Sequence, residues 1–343
     1  MYVQQNVSLA DYSTMGLGGV AAHLVEVHDR MEVLEALTWA QTNNLPALMI
    51  GIGSNIIWRD EGFAGLLIVN KIERFEVFNE DETNTYITIG AGENWDSVVE
   101  RSVAAGLTGI EALSLVPGAA GATPIQNVGA YGQEIANTLV TIEAFDTQIK
   151  DFVTLPASDC AFGYRTSRFK TVDRGRFYIT AITLHLMKGS PTPPFYAGVQ
   201  SYFDEHEIRE FTPAILREAV IAIRTAKLPD PAVVHNAGSF FANPIISESQ
   251  LVQLVAEVNM EIPHWSHQED YVKIPAAWLI EQAGFKGVRD KETGMSTWPT
   301  QALVLVNESA KSTADLLAFK QKIVAAVQAK FGIVLEQEPE LLP

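Results

Sequence analysis

Val116-Pro117-Gly118-Ala119-Ala120-Gly121-Ala122-Thr123-Pro124-Ile125-Gln126-Asn127-Val128-Gly129-Ala130-Tyr131-Gly132 is the stretch on which the fold turns. It holds four glycines, two prolines and almost no charge. A long connection without structure of its own is uncommon in a compact domain and usually carries function. Small neutral residues let a flat, phosphate-bearing ligand approach the backbone N–H groups. An ordinary long connection is the plainer alternative.

A second glycine segment, Gly51-Ile52-Gly53-Ser54-Asn55, follows the short apolar run Leu48–Ile50. Glycines after a strand can form an anion-binding nest. The dinucleotide fingerprint is excluded, because Ile56 stands where its third glycine belongs and Ile56-Ile57-Trp58 reads as strand. A tight strand turn is the bland reading of this segment.

Working outward, the first seventy residues mix strand and helix, with a helix start at Asp29 and Glu32. From Arg74 the pattern is β-rich: Phe75–Phe78 and Tyr86–Ile89 read as a hairpin, and Val140–Phe145 and Phe177–Leu186 as strands. A helix over Trp95–Ala105 stops at Gly106, and Met187–Gly198 reads as a Pro-rich loop. Thr212-Pro213 opens a helix that Lys227-Leu228-Pro229-Asp230-Pro231 ends as a linker. Beyond it the chain is α/β. Ser247 with Gln250 and Ser312 with Asp315 signal helix starts, Pro275 opens a helix closed by Gly284, and Ala302–Val306 is a strand.

The 343 residues predict two or three domains. With 47% apolar and 19% charged residues, disorder, collagen and coiled coil are excluded for the whole chain. The net charge of −17 argues against a broad nucleic-acid surface but not against a small anionic ligand. The single cysteine, Cys160, permits no intramolecular disulfide and suits a reducing compartment. Met1–Met15 has neither the basic nor the apolar region of a signal peptide, and no apolar run nears the roughly 20 residues of a membrane span. A cytoplasmic protein without membrane insertion is expected, so the sequons at Asn6 and Asn307 are chance matches. His264 and His267 lack cysteine or carboxylate partners nearby, so no metal site is expected.

Pro117–Gly132 is close to the P-G-x-x-G-x-x-P-x-Q-N-x-G-A-Y-G of the UDP-N-acetylenolpyruvoylglucosamine reductase family, and Gly51–Asn55 to its G-x-G-S-N. Tyr164-Arg165-Thr166-Ser167-Arg168-Phe169-Lys170 resembles its Y-R-x-S-x-F-K, and Asn236–Pro244 its N-A-G-S-F-F-x-N-P. Ala226-Lys227-Leu228-Pro229, Gln301-Ala302-Leu303-Val304 and Leu335–Glu338 are similar to its S-K-L-P, Q-A-L-V and L-x-x-E. Each short match is weak alone, but their order from about Thr14 to Glu338 is specific.

The resemblance implies an α+β protein. A two-part FAD-binding region, 1–71 (joined by the tail 334–343) and 72–227, would precede a smaller α/β substrate-binding domain, 228–333. It implies non-covalent FAD held by Gly51, Ile52, Gly53, Ser54, Asn55, Pro117, Gly118, Gly121, Ala122, Thr123, Pro124, Asn127, Gly129, Tyr131 and Arg224. NADPH would reduce the flavin, whose N5 would pass hydride to the enolpyruvyl ether of UDP-N-acetylglucosamine. Ser239 would be the proton donor, and Arg165 and Glu338 would stabilise the developing charge. Tyr196 and Lys227 would hold the diphosphate, with Asn243 and Gln301 nearby, in a monomer. Three departures stand out: His235 before Asn236, Arg168 in place of an apolar residue, and Pro339–Pro343 in place of V-R-F. Another flavoenzyme of the same FAD-binding architecture is the alternative.

Overall fold

Val20–Val27, Phe63–Asn70 and Ala47–Ile50 are rich in branched apolar residues and pair as parallel strands, with Phe63–Asn70 in the middle and Gln4–Ser8 on the outer edge. Near-continuous apolar runs suit strands buried on both faces. Helix α1 (Arg30–Thr42) starts where the Asp29 carboxylate accepts the amides of Met31 and Glu32 at 2.7 and 2.9 Å. Its Val33, Ala36 and Ala40 pack with Val25, Leu66 and Ile68.

The computed structural model describes residues 1–343 and forms two units. The first is Met1–Val7, Ala21–Ile52 and Phe63–Ala226; the second is Ser8–Val20, Gly53–Gly62 and Lys227–Pro343.

The first unit also holds an antiparallel sheet in the order Asp151–Pro156, Leu139–Asp146, Phe177–Lys188, Asn84–Gly90, Phe75–Glu80, with Leu107–Thr108 alongside. The Asp81 carboxylate accepts the amides of Thr83 and Asn84, both at 2.7 Å, and so closes the expected hairpin. Helix α2 (Trp95–Ala104) buries Trp95, Val98 and Val99 with Ile87, Ile182 and Leu184, and Gly106 follows it at φ +72°. Cys160 is fully buried in the same core, which pushes its thiol up to about 11.

The loop expected over Met187–Gly198 is shorter than the sequence suggested. The strand runs on to Lys188, and helix α3 (Ala197–Glu205) begins inside the predicted loop. No side chain caps α3; instead the rings of Phe195, Phe203 and Phe211 meet at centroid separations of 4.8–5.1 Å. Helix α4 (Pro213–Lys227) packs Leu216, Ala219 and Val220 against Val199 and Phe203.

In the second unit an antiparallel sheet runs Asn236–Ser239, Gln301–Asn307, Met295–Trp298, Arg289–Asp290. Helices α5 (Glu248–Val258), α6 (Ala276–Gln282) and α7 (Thr313–Phe331) share its core through Leu251, Leu279, Leu305, Phe319 and Ile323. Ser247/Gln250 and Ser312/Asp315 form reciprocal capping boxes, as expected. Ile245–Ser247, Tyr271–Lys273 and Trp265–Gln268 form a small sheet. The tail strand Glu340–Leu342 pairs in parallel with Ile56–Trp58. The architecture is α+β, and no helix is long and apolar enough to cross a membrane.

Candidate active site

The two glycine segments approach each other in the first unit. A Cβ on Gly51 would lie 2.7 Å from the Ala119 methyl, so only glycine permits that approach. Gly121 is pressed as tightly on Ala91. The amides of Ala120, Gly121, Ala122 and Thr123 bond to carbonyls of Glu93, Ala91, Ala119 and Ala120, which rigidifies the loop and turns these donors inward. Gly53, in the second unit, has φ +76° and accepts the Thr14 amide at 3.1 Å; a Cβ there would strike the Tyr12 carbonyl.

Four non-glycine residues of this region hold left-handed backbone: Leu115 (φ +54°), Asn127 (+50°), Tyr131 (+48°) and Arg165 (+54°). Such strain persists only where the surroundings over-determine it, and it clusters at functional sites. Leu115 is fixed at both ends. Its amide donates to Asp96 at 2.6 Å, and its carbonyl accepts from Arg224 at 3.1 Å. Burial would raise the Asp96 pKa, but the bidentate Arg217 guanidinium and the Leu115 amide hold it below the usual carboxylate value. Tyr131-Gly132, both at positive φ, form the two-residue turn between Gly129–Ala130 and Gln133–Glu134.

Tyr131 joins two further expected residues. Its ring meets Tyr196 edge to face at 5.6 Å. Its hydroxyl, raised in pKa by burial, hydrogen-bonds Arg224, whose own pKa burial lowers. Tyr196 is 46% exposed at the start of α3.

Arg165 is half-buried, and its Nη2 donates to the Gly129 carbonyl at 2.9 Å. Ser167 Oγ donates to the Ile125 carbonyl at 2.6 Å, and Asn127 Nδ2 to the Gly163 carbonyl at 3.1 Å. The arginine loop is therefore laced to the long glycine loop. Arg168, the departure from the family pattern, points away from this work. Its Nε meets Asp173 at 2.7 Å, and Arg176 bridges Asp173 to Asp146.

Ser239 and Glu338 lie on neighbouring backbone segments of the second unit. Ser239 ends the strand Asn236–Ser239 and is exposed. The Glu338 amide donates to the Phe240 carbonyl, and the Ala242 amide to the Glu336 carbonyl, both at 2.9 Å. Lys320, which the sequence reading missed, donates to Gln337 Oε1 at 3.0 Å, and burial lowers its pKa. Its signal was slight: a lysine directly after Phe319 on the apolar stripe of α7. The Glu340 amide donates to the Asn55 carbonyl at 3.0 Å. Pro339–Pro343 thus seats the tail instead of V-R-F.

Asn243 Oδ1 accepts the Ala276 amide at 2.8 Å at the start of α6. Lys227, exposed at the end of α4, accepts through its carbonyl from Thr300 at 2.8 Å, beside Gln301. Arg165 belongs to the first unit, and Ser239 and Glu338 to the second.

Residues 230–342 match the UDP-N-acetylenolpyruvoylglucosamine reductase C-terminal domain, and residues 21–148 the FAD binding domain. UDP-N-acetylenolpyruvoylglucosamine reductase of Alcanivorax borkumensis is 39% identical over 98% of this chain and 96% of its own length. The chain belongs to the UDP-N-acetylenolpyruvoylglucosamine reductase family. The reductase so named from Cupriavidus pinatubonensis is 38% identical over 97% of each chain. The crystal structure of the reductase from Thermus caldophilus shares the fold, with a TM-score of 0.69 over the full length of both chains at 23% identity.

The chain is thus a FAD-dependent oxidoreductase of peptidoglycan precursor synthesis. Its residues fit that cofactor. The long loop is neutral, and its left-handed and glycine positions bring backbone close. Ile52, 40% exposed, and Ala122 are apolar side chains the protein leaves uncovered, as a flat aromatic ligand requires.

Proposed function

We propose that the chain reduces the enolpyruvyl ether of UDP-N-acetylglucosamine to UDP-N-acetylmuramate, with NADPH as reductant. Bound FAD supplies the relay that carries hydride from NADPH to the terminal alkene carbon. Ser239 gives a proton to the neighbouring carbon, which completes addition of hydride and proton across the double bond. A serine hydroxyl is a feeble acid and serves only a strongly basic partner at close range. Charge driven onto the substrate carboxylate is met by the Arg165 guanidinium and by Glu338, which shares a proton with it. Tyr196 and Lys227 hold the diphosphate, with Asn243 and Gln301 beside it.

The observation that carries this reading is the backbone hydrogen bond from Glu338 to Phe240, the residue after Ser239. It supports the reading by tying the backbone of Glu338 beside the residue that follows Ser239, without relying on the altered tail sequence. We assign cofactor binding to Gly51–Asn55, to Pro117, Gly118, Gly121, Ala122, Thr123 and Pro124, to Asn127 through its backbone, to Gly129 and Tyr131, and to Arg224. Residues 1–71 with the tail 334–343, and 72–227, form the cofactor-binding parts, and 228–333 the substrate-binding part. The enzyme works as a cytoplasmic monomer.

Anaerobic absorbance tests the reaction. NADPH should bleach the flavin band of the purified protein, and the enolpyruvyl ether should restore it. Bleaching without return would reject the substrate and favour another flavoenzyme activity. Absence of a flavin band after soaking with FAD would reject the cofactor assignment.

A further inference from the structure

We propose that Asn127 is a positioning residue for Arg165, its side chain acting through the arginine loop and not on the cofactor. The inference rests on the role given to Arg165 above. Asn127 is 2% exposed and strained at φ +50°. Its Nδ2 donates to Glu134 Oε2 at 2.8 Å and to the Gly163 carbonyl at 3.1 Å, while its Oδ1 accepts the Ala136 amide at 3.1 Å. A primary amide has two N–H donors, so both are spent inside the protein and none remains for a ligand.

The partners explain what the side chain does. The Glu134 carboxylate, once ionised, only accepts hydrogen bonds. It therefore fixes which end of the amide is nitrogen and aims the second N–H at Gly163. Gly163 and Thr166 bond to each other through both amides, at 3.1 and 3.3 Å, and close the turn that holds Tyr164 and Arg165. Arg165 then reaches back to Gly129, and Ser167 to Ile125. The contacts fall on Ile125, Asn127 and Gly129, alternate residues of one loop, with Asn127 in the middle. The outer two come from side chains of the arginine loop. Asn127 is the rung that grips that loop's backbone, and so it sets where the strained arginine turn sits.

The test uses the full-length enzyme carrying Asn127→Ala, Asn127→Asp, or Asn127→Asp with Glu134→Gln. In the pair the bond between positions 127 and 134 returns with donor and acceptor exchanged, while the Gly163 carbonyl still lacks the donor from position 127 and keeps only the Thr166 amide. Three quantities are read: the FAD dissociation constant of the apoprotein by flavin fluorescence, the rate of bleaching by NADPH, and the rate of colour return on adding the enolpyruvyl ether. Asn127→Ala should leave the first two within about threefold and slow the return about tenfold or more, as expected when a reacting group is misplaced. Arg165→Lys should slow the return by a smaller factor in Asn127→Ala than in the unsubstituted enzyme, because the two share one interaction. The pair should regain the thermal midpoint lost in Asn127→Asp but not the rate of return, which keeps the test open if Asn127→Ala folds poorly. Weakened FAD binding in step with the slower return, full additivity with Arg165→Lys, or recovery of the return in the pair would each overturn the inference. An unsubstituted enzyme that binds FAD but shows no colour return would instead overturn the reaction itself, and the inference with it.

Discussion

The amide of Glu338 donates to the carbonyl of Phe240 at 2.9 Å, which holds the glutamate one residue along from Ser239. The two proposed proton-handling groups are thereby fixed to one backbone scaffold. Ser239→Ala should slow substrate-driven return of the flavin colour by about 10²–10⁴-fold, the range for a lost general acid. Glu338→Gln should slow it by about 10²–10³-fold, as for a lost stabiliser of developing charge. Both should leave bleaching by NADPH intact. Equal losses in the two half-reactions would mean that these residues serve the cofactor and not the substrate.

The tail makes a separate prediction. Leu342, 5% exposed, ends the strand that pairs with Ile56–Trp58, and its carbonyl accepts the Arg59 amide at 2.9 Å. Leu342→Ala should cost about 2–3 kcal/mol of stability from the cavity it leaves. A urea midpoint measures that cost. Turnover should fall as well, because Glu338 lies on the same short tail. An unchanged midpoint would show that the tail does not depend on this strand.

Local signals in the sequence carried much of the fold and less of the site. Asp29, Ser247 and Ser312 announce their helices because a cap is satisfied within three residues. The long glycine loop was legible from composition, and its pairing with FAD from resemblance. Helix α3 was missed because its support, the rings of Phe195, Phe203 and Phe211, lies in tertiary contact and not in a cap. The seating of Glu338 was equally hidden. It depends on Lys320, Phe240 and Asn55, each far from it in sequence. The tail departs from the family's V-R-F, yet a β-ladder needs only backbone, and Glu340–Leu342 provides one.

Gly51 tests how closely the two glycine segments must meet. Gly51 does not have the positive φ that only glycine tolerates easily, so alanine there adds a methyl and little backbone strain. That methyl would sit 2.7 Å from the methyl of Ala119. Gly51→Ala should push the segments apart and weaken FAD binding by about tenfold or more, equivalent to about 1.4 kcal/mol. Flavin fluorescence titration of the apoprotein reads the change. Unchanged affinity would mean that this close approach does not shape the cofactor site.

The Asp146–Arg176 pair predicts how stability depends on acid. Asp146 has a side chain only 1% exposed and receives Arg176 Nε at 3.0 Å and Nη2 at 2.6 Å. The Arg176 hydrogen bonds hold its pKa below the ordinary value, against burial and with help from the Gln148 amide. The unfolded carboxyl titrates near about 3.9, so the folded state binds its proton less readily. The pair's contribution is therefore complete above the unfolded pKa and is lost as pH falls through the folded one. Asp146→Asn should lower stability at neutral pH, because Arg176 then keeps only Asp173 as its charged partner. The gap from the unsubstituted protein should begin to narrow as pH drops below about 4, where the unfolded carboxyl takes up its proton, and should close as pH falls through the lowered pKa of the folded state. Urea midpoints at neutral and acid pH measure both limbs. A gap that stays constant with pH would show that Asp146 contributes through packing and not through its charge.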